Sequence, residues 1–572
     1  MSGLPTSAAT GTDWPREFPV ASTQADEAMT QSADRYTEDV PRTREAAVQT
    51  LHGFLQPVPP GQPVDEAIAA LGTMIDLSGE LRHRDATDEA IRRGERLLEG
   101  ALCEDQRATV HYFLANAWEE ARRQRRSERE LADWEQPEVS AQVIHLRHAA
   151  RLMEASAEIG TAGESAILRR CQIYTNLGNV MSLVGRLVDA ITYWGRALDL
   201  EPQFAMAIAN RGYGWIQYAQ LVHDPGHRVH LLRAADGDLS DALLPRLASQ
   251  MHREPRAFFT HLQGQLRAQV PAEVLAPPTA HEHSFAKRIS KRERAYREWC
   301  LARRLFLNDL NDLYTRDPLA ARDVLVLPDV ATPVDAGMPH TIGFFNQLKQ
   351  EFTSARISLF EGVNADRIHF ADRDVTLIDT LDYPAYGHAA EQIKVAYRLA
   401  YSLFDKIAYF LNDYLALSIP EKKVSFRSVW YVHPDRSRGL LPEISRPENT
   451  PLKALFWLAK DFYEDELGFT DALEPDARDL ADLRNHLEHK YVKLQLFYVP
   501  TEERYFARGP LAYSLSRSEF ERRALRLLQL ARSALLYLSM GVYVEEARRR
   551  AAYPSQRSLS LPLIEFEDRF KL

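Results

Sequence analysis

The chain has 572 residues, too many for a single hydrophobic core, so about two or three domains are expected. Hydrophobic residues make up 45% and charged residues 26%, the balance of a soluble globular protein, and a formal net charge of −10 leaves any RNA contact to local basic patches. Cys103, Cys171 and Cys300 are widely spaced and without CxxC spacing, so they suggest neither a disulfide framework nor a cysteine-based zinc site and fit a reducing cytosol.

Residues 1–63 form a leader rich in Ser, Thr, Ala and Pro, closed by Pro57, Pro59, Pro60 and Pro63, and are expected to be largely mobile. The start of the chain has no basic stretch followed by an apolar run, and Arg532 interrupts the most apolar helix, 527–544. Neither a signal peptide nor a membrane span is supported.

From residue 64 to 268 the pattern is helix after helix, with segments at 88–102, 106–126 and 141–159. Gly178 and Gly212 stand 34 residues apart in similar surroundings, which is the tetratricopeptide period. With Gly178 as the eighth position, Tyr174, Leu177, Ala190, Trp194, Ala197 and Pro202 fall where that repeat requires a large residue, Leu, Ala, an aromatic, Ala and Pro. Small residues at the eighth and twentieth positions let the two helices of a hairpin approach closely, and Pro202 ends the second helix. The copy from Ala205 loses the pattern after Trp215, while Ala90, Leu97, Tyr112 and Trp118 mark a further helix pair with drifted spacing. The expected architecture is a degenerate tetratricopeptide-like array binding a protein or peptide in its concave face, the simpler alternative being a plain helical domain.

Pro271, Pro277 and Pro278 mark a linker at 269–284. Connecting helices and loops follow at 285–384, including a basic amphipathic stretch, 285–315, suited either to phosphates or to a solvated face. A helix is expected at 341–361, and 366–386 reads as extended or looped. A strongly helical block fills 385–550: a long run at 389–417 with Ile393, Tyr397, Ala400, Phe404, Ile407 and Leu411 at helical spacing, then helices at 451–467, around 478–497 and at 517–547. These make an antiparallel bundle, followed by a tail at 551–572, and the fold class is all-α.

Arg484-Asn485-His486-Leu487-Glu488-His489 lies in the penultimate helix of the bundle. If 478–497 is one helix, Leu480, Leu483, Leu487, Tyr491 and Leu494 line its core stripe. At about 100° per residue, counted from Leu480, Arg484 falls near ~40°, Glu488 near ~80°, Asn485 near ~140° and His489 near ~180°. The polar residues thus form an arc turned away from the core. A second copy of the chain is the economical partner to close over it. Arg484 and Glu488 also fit an ordinary solvated i, i+4 pair, and His486 with His489 lacks an obvious third ligand for zinc.

The long first helix, the Arg-polar-x3-His motif and the attached repeats resemble the HEPN superfamily of prokaryotic ribonucleases and toxins. The stretches Leu305–Leu313, Phe344–Glu361, Asp379–Tyr386, Tyr401–Leu417, Ser425–Tyr431 and Ala454–Tyr463 look like a branch that couples repeats to a HEPN bundle, and the resemblance covers roughly 285–550. It implies RNA cleavage without metal or other cofactor, at a site assembled by two HEPN domains, leaving 2′,3′-cyclic phosphate and 5′-hydroxyl ends. That chemistry requires deprotonation of a 2′-hydroxyl, stabilisation of an anionic phosphorane and protonation of the 5′-oxygen. An imidazole titrating near ~6.5 suits acid or base work, so His489 takes that part, and Arg484 holds phosphate through paired N–H donors. Asn485 would orient the ring or contact phosphate, and Glu488 would pair Arg484 until RNA arrives. His486, Lys490 and Lys406 are further candidates for RNA contact, with Asp405 and Lys406 alternatively an ordinary surface pair. The implied role is a cytoplasmic, homodimeric host-defence or toxin-like effector with no membrane association. The alternatives are a non-catalytic dimeric scaffold or signalling adaptor, and a nucleotidyltransferase helper, although such helpers are much shorter and lack repeats.

Overall fold

In a computed structural model, the described residues are 43–57, 61–125, 133–158, 163–276, 285, 289–331, 340–379, 384–433, 438–463, 477–495, 512–552 and 564–571. Within them the chain is almost entirely helical, as expected of an all-α array joined to a C-terminal bundle. Most of the leader lies outside the described residues, but Arg44–Phe54 forms a helix (α1) where mobility was expected. It forms because Ala47 and Leu51, one turn apart, bury against Ile68, Leu71 and Ile75 in a small N-terminal core, and Thr43 caps its start.

The array continues through α2 (Val64–Glu80), α3 (Arg84–Glu99), α4 (Glu104–Arg125), α5 (Pro137–Glu158), α6 (Glu164–Leu183), α7 (Leu187–Leu200), α8 (Ala205–Leu221), α9 (Pro225–Ala242) and α10 (Arg253–Gln269). The hairpin α6–α7 shows why the repeat needs glycine at its eighth position. A Cβ on Gly178 would sit 2.4 Å from Trp194 Nε1, and one on Gly214 would sit 2.4 Å from the other edge of the same indole. Trp194, fully buried, fills the groove between repeats and donates to Thr175 O at 3.2 Å and Asn179 Oδ1 at 3.0 Å. Gly178→Ala should therefore lower stability by about 1–3 kcal/mol, the usual cost of overpacking a core. A denaturation midpoint equal to wild type would show that the indole can move aside.

Between α4 and α5 three histidines meet. His111 Nδ1 and His145 Nδ1 share a hydrogen bond of 2.9 Å, and the His148 ring stacks on His111 at 5.0 Å. Burial, and then repulsion from neighbouring histidines, lowers the pKa of His111 and of His145 from 6.5 to about 3. The unfolded chain thus binds protons that the folded chain refuses, so this contribution is intact above pH 6.5 and is lost as pH falls toward about 3. Denaturant midpoints should fall between pH ~7.5 and ~5, and His145→Gln should flatten that slope.

The connecting region holds α11 (Lys291–Ala302) and α12 (His340–Val363). The bundle then comprises α13 (His388–Tyr414), α14 (Thr450–Tyr463), α15 (Ala477–His489) and α16 (Arg517–Ala552). The motif helix is shorter than expected. It stops at His489, and Tyr491–Gln495 forms strand β1, paired in parallel with β2 (Ala512–Ser516). Tyr491-Val492-Lys493-Leu494 can be read with either period, but here the period of two prevails: Val492 and Leu494 face the core and Tyr491 faces out. Tyr491 and Leu494 therefore do not continue the helical stripe of Leu483 and Leu487.

From α4 onward, array and bundle share one continuous hydrophobic core. Buried polar joints cross it, and two of them are built on buried arginines. In the first, Asp461 of α14 accepts from Arg147 of α5 at 2.8 Å and from Arg186 at the α6–α7 turn, and Arg186 also bonds Asp189 at 3.0 Å. Tyr537 of α16 donates to Asp189 at 3.2 Å and accepts from Val188 N at 3.1 Å. In the second, Arg532 of α16 bonds Asp312 at 2.7 Å and the carbonyls of Phe306 and Asn308, while Tyr218 of α8 donates to Asp312 at 2.7 Å. Arg532, which interrupts the most apolar helix, is thus a core residue. That helix is long and apolar enough to cross a membrane, yet 83% of its most apolar window is buried inside the molecule.

Candidate active site

The motif helix α15 packs antiparallel to α13, with Leu487 beside Arg398 and Arg484 beside Tyr401 near the middle of that helix. Leu483 and Leu487 anchor it at 0% and 5% exposure. The remaining turn positions place Asn485, Glu488, His489 and Lys490 in solvent and Arg484 at the boundary. This agrees with the arc drawn from the helical wheel.

Arg484 lies over the buried ring of Tyr401 in α13, 5.6 Å from its centroid, and donates to Asn485 Oδ1 at 3.2 Å. The ring holds the flat face of the guanidinium and the amide oxygen accepts from one of its N–H groups. Asn485 thus acts on Arg484 rather than on His489. The His489 imidazole, exposed at the last helical position, has no side-chain partner among the described residues.

Glu488 does not pair with Arg484. It faces Arg398 of α13, with 3.8 Å between Oε1 and Nε. Arg398 also donates to the backbone carbonyl of Leu487, one of the carbonyls that a helix leaves unsatisfied at its C-terminal end. One cation therefore closes the end of α15 and turns Glu488 away from Arg484. Arg398→Ala should free this turn at a cost of about 1 kcal/mol. Amides of 486–489 would then exchange roughly fivefold faster, since 1.4 kcal/mol is tenfold. Exchange at the wild-type rate would show that the clamp carries no weight.

The other candidates separate. The His486 ring packs on Tyr513 of β2 at 5.2 Å, directed to the sheet, whereas His489 points to solvent. Among the described residues no group of three His, Cys, Asp or Glu could hold a metal ion. Lys490 is exposed one residue beyond the helix. Lys406 is bound to Glu351 of α12 at 2.6 Å, and Asp405 accepts from Phe426 N at 3.1 Å. These two therefore neither pair with each other nor join the motif.

Sequence reasoning missed Arg398 and Tyr401, although both lie in the helix whose apolar stripe was legible. Their only signal is position: Arg398 borders that stripe, and nothing local says which helix packs there. The end of a helix repels anions, because its carbonyls point outward. The cations near this end of α15 include Arg484, Arg398 and Lys490. The arrangement leaves the His489 imidazole open to solvent and Arg484 at the boundary of the core, roughly 140° apart around the helix.

No curated protein matches the chain. Residues 332–545 match the family model described as LA2681-like HEPN, which supports a HEPN-superfamily domain at the C-terminus of this chain.

Proposed function

We propose that this chain is a HEPN-type endoribonuclease that cleaves RNA without a metal ion and acts in the cytoplasm as a host-defence or toxin-like effector. His489 serves as general acid or base toward the 2′-hydroxyl or the 5′-oxygen, and Arg484 holds the scissile phosphate. Two copies pair so that two motif arcs close over one RNA strand, and the repeat array senses a protein or peptide trigger. The observation that carries this reading is an exposed His489 five residues along the same helix from an Arg484 fixed by Tyr401 and Asn485, within a HEPN-type bundle. A dimerisation module alone has no need of such an oriented pair.

Purified full-length protein incubated with mixed RNA in a chelator tests it. Fragments should carry 2′,3′-cyclic phosphate and 5′-hydroxyl ends, and a 2′-deoxy substitution at the cleaved position should stop the reaction. Fragments with 5′-phosphate ends would contradict the mechanism.

A further inference from the structure

Helix α14 ties the array to the helix that supports Arg484. Asp461, 1% exposed, accepts from Arg147 of α5 at 2.8 Å and from Arg186 at the α6–α7 turn, and Lys460 Nζ donates to Ser140 Oγ of α5 at 3.2 Å. Arg147 and Arg186 belong to two consecutive hairpins, so one carboxylate spans both. Phe462 follows Asp461 and leaves the helix about 100° further round. Its ring, 4% exposed, meets that of Tyr401 in α13 at 6.1 Å with the planes at 74°, and that of Phe404 at 4.8 Å. Tyr401 in turn carries the Arg484 guanidinium over its ring, 5.6 Å from the centroid. Two hairpins of the array, Asp461, Phe462, Tyr401 and Arg484 are thus joined in one chain of contacts.

We propose that Phe462 is a positioning residue through which the array sets Arg484. The proposal rests on the RNA-cleaving function put forward above and adds how the array reaches that site. The curvature of a repeat array follows from the small rotation of each repeat on the next. Because two successive hairpins hold Asp461 at once, a partner that changes this rotation must either move Asp461 or break one of its bonds. Breaking one is costly, since Arg147 and Arg186 are buried at 4% and 1% exposure, so α14 follows the array instead. Close-packed side chains pass such a shift on, because they have no free volume to absorb it. Phe462 then moves against Tyr401, and the guanidinium moves with the ring that supports it. A small displacement is enough, as misplacing a positioned group by about 1 Å can cost about 10²-fold in rate.

The test is single-turnover cleavage of a quenched fluorescent oligoribonucleotide by full-length protein, read as a double-mutant cycle. Phe462→Leu keeps an apolar chain but loses the ring, and should cleave roughly 10- to 100-fold more slowly than wild type. In the Arg484→Ala background the same substitution should change the residual rate by less than about twofold, since a group that acts only through Arg484 has nothing left to position. Arg147→Gln, in the array, should follow the same pattern. Equal losses in the two backgrounds would overturn the proposal by giving Phe462 and Arg147 a part in stability alone, and so would a wild-type rate in either single variant. Hydrogen exchange supplies a reading independent of cleavage. Amides of 483–487 should exchange severalfold faster in both single variants, while those of α2, in the separate N-terminal core, keep the wild-type rate. Unchanged exchange at 483–487, or equal acceleration in α2, would also overturn the route. A wild type that never cleaves, with exchange shifted as stated, removes the nuclease and leaves the route. An active wild type with additive substitutions removes the route and leaves the nuclease.

Discussion

His489→Ala should cut the rate of RNA cleavage by about 10²- to 10⁴-fold, the range contributed by a positioned general acid or base. The thermal midpoint should stay near wild type, because the side chain is exposed and unpaired among the described residues, so nothing packed is lost. Arg484→Ala should be nearly as damaging to activity, and Arg484→Lys should restore little of it. A lysine keeps the charge but loses the planar fork that Tyr401 supports and that phosphate accepts. Full activity in Arg484→Lys would show that only charge matters at this position.

The largest effect on stability is expected at Asp461, in the joint between array and bundle. Asp461→Ala would leave Arg147 and Arg186, at 4% and 1% exposure, without their shared carboxylate. Removing one partner from a buried ion network costs about 3–5 kcal/mol, whereas the intact network is worth much less against an apolar replacement. Because Asp461 belongs to the bundle and both arginines to the array, the loss should appear in both parts together. Guanidinium unfolding followed by intrinsic fluorescence would report it, since Trp194 lies in the array and Trp457 in the bundle. Two separated transitions in the variant would contradict a shared loss, and an unchanged midpoint would show that Asp189 suffices for Arg186.

Much of this architecture was written in local spacing. The glycine–tryptophan pair at 178 and 194 could be placed because the repeat period fixes which small residue meets which large one, and α13 and α12 followed from their apolar steps. The arc from Arg484 to His489 was legible for the same reason, being a property of one helix. What local spacing could not supply was the end of that helix. Leu487, Tyr491 and Leu494 satisfy a helical period, while Tyr491 to Leu494 satisfies a strand period equally well, and pairing with β2 decides between them. Arg398, Asp461 and Arg532 were invisible for another reason: each acts on residues brought near only by the fold, as when Arg186 reaches Asp461 across 275 positions of chain.

The most direct test sets wild type beside His489→Ala on mixed RNA with EDTA present throughout. Wild type should cleave at an undiminished rate and the variant should leave the RNA intact over the same period. Loss of wild-type activity to the chelator, or equal cleavage by the two proteins, would contradict a metal-free site built on Arg484 and His489.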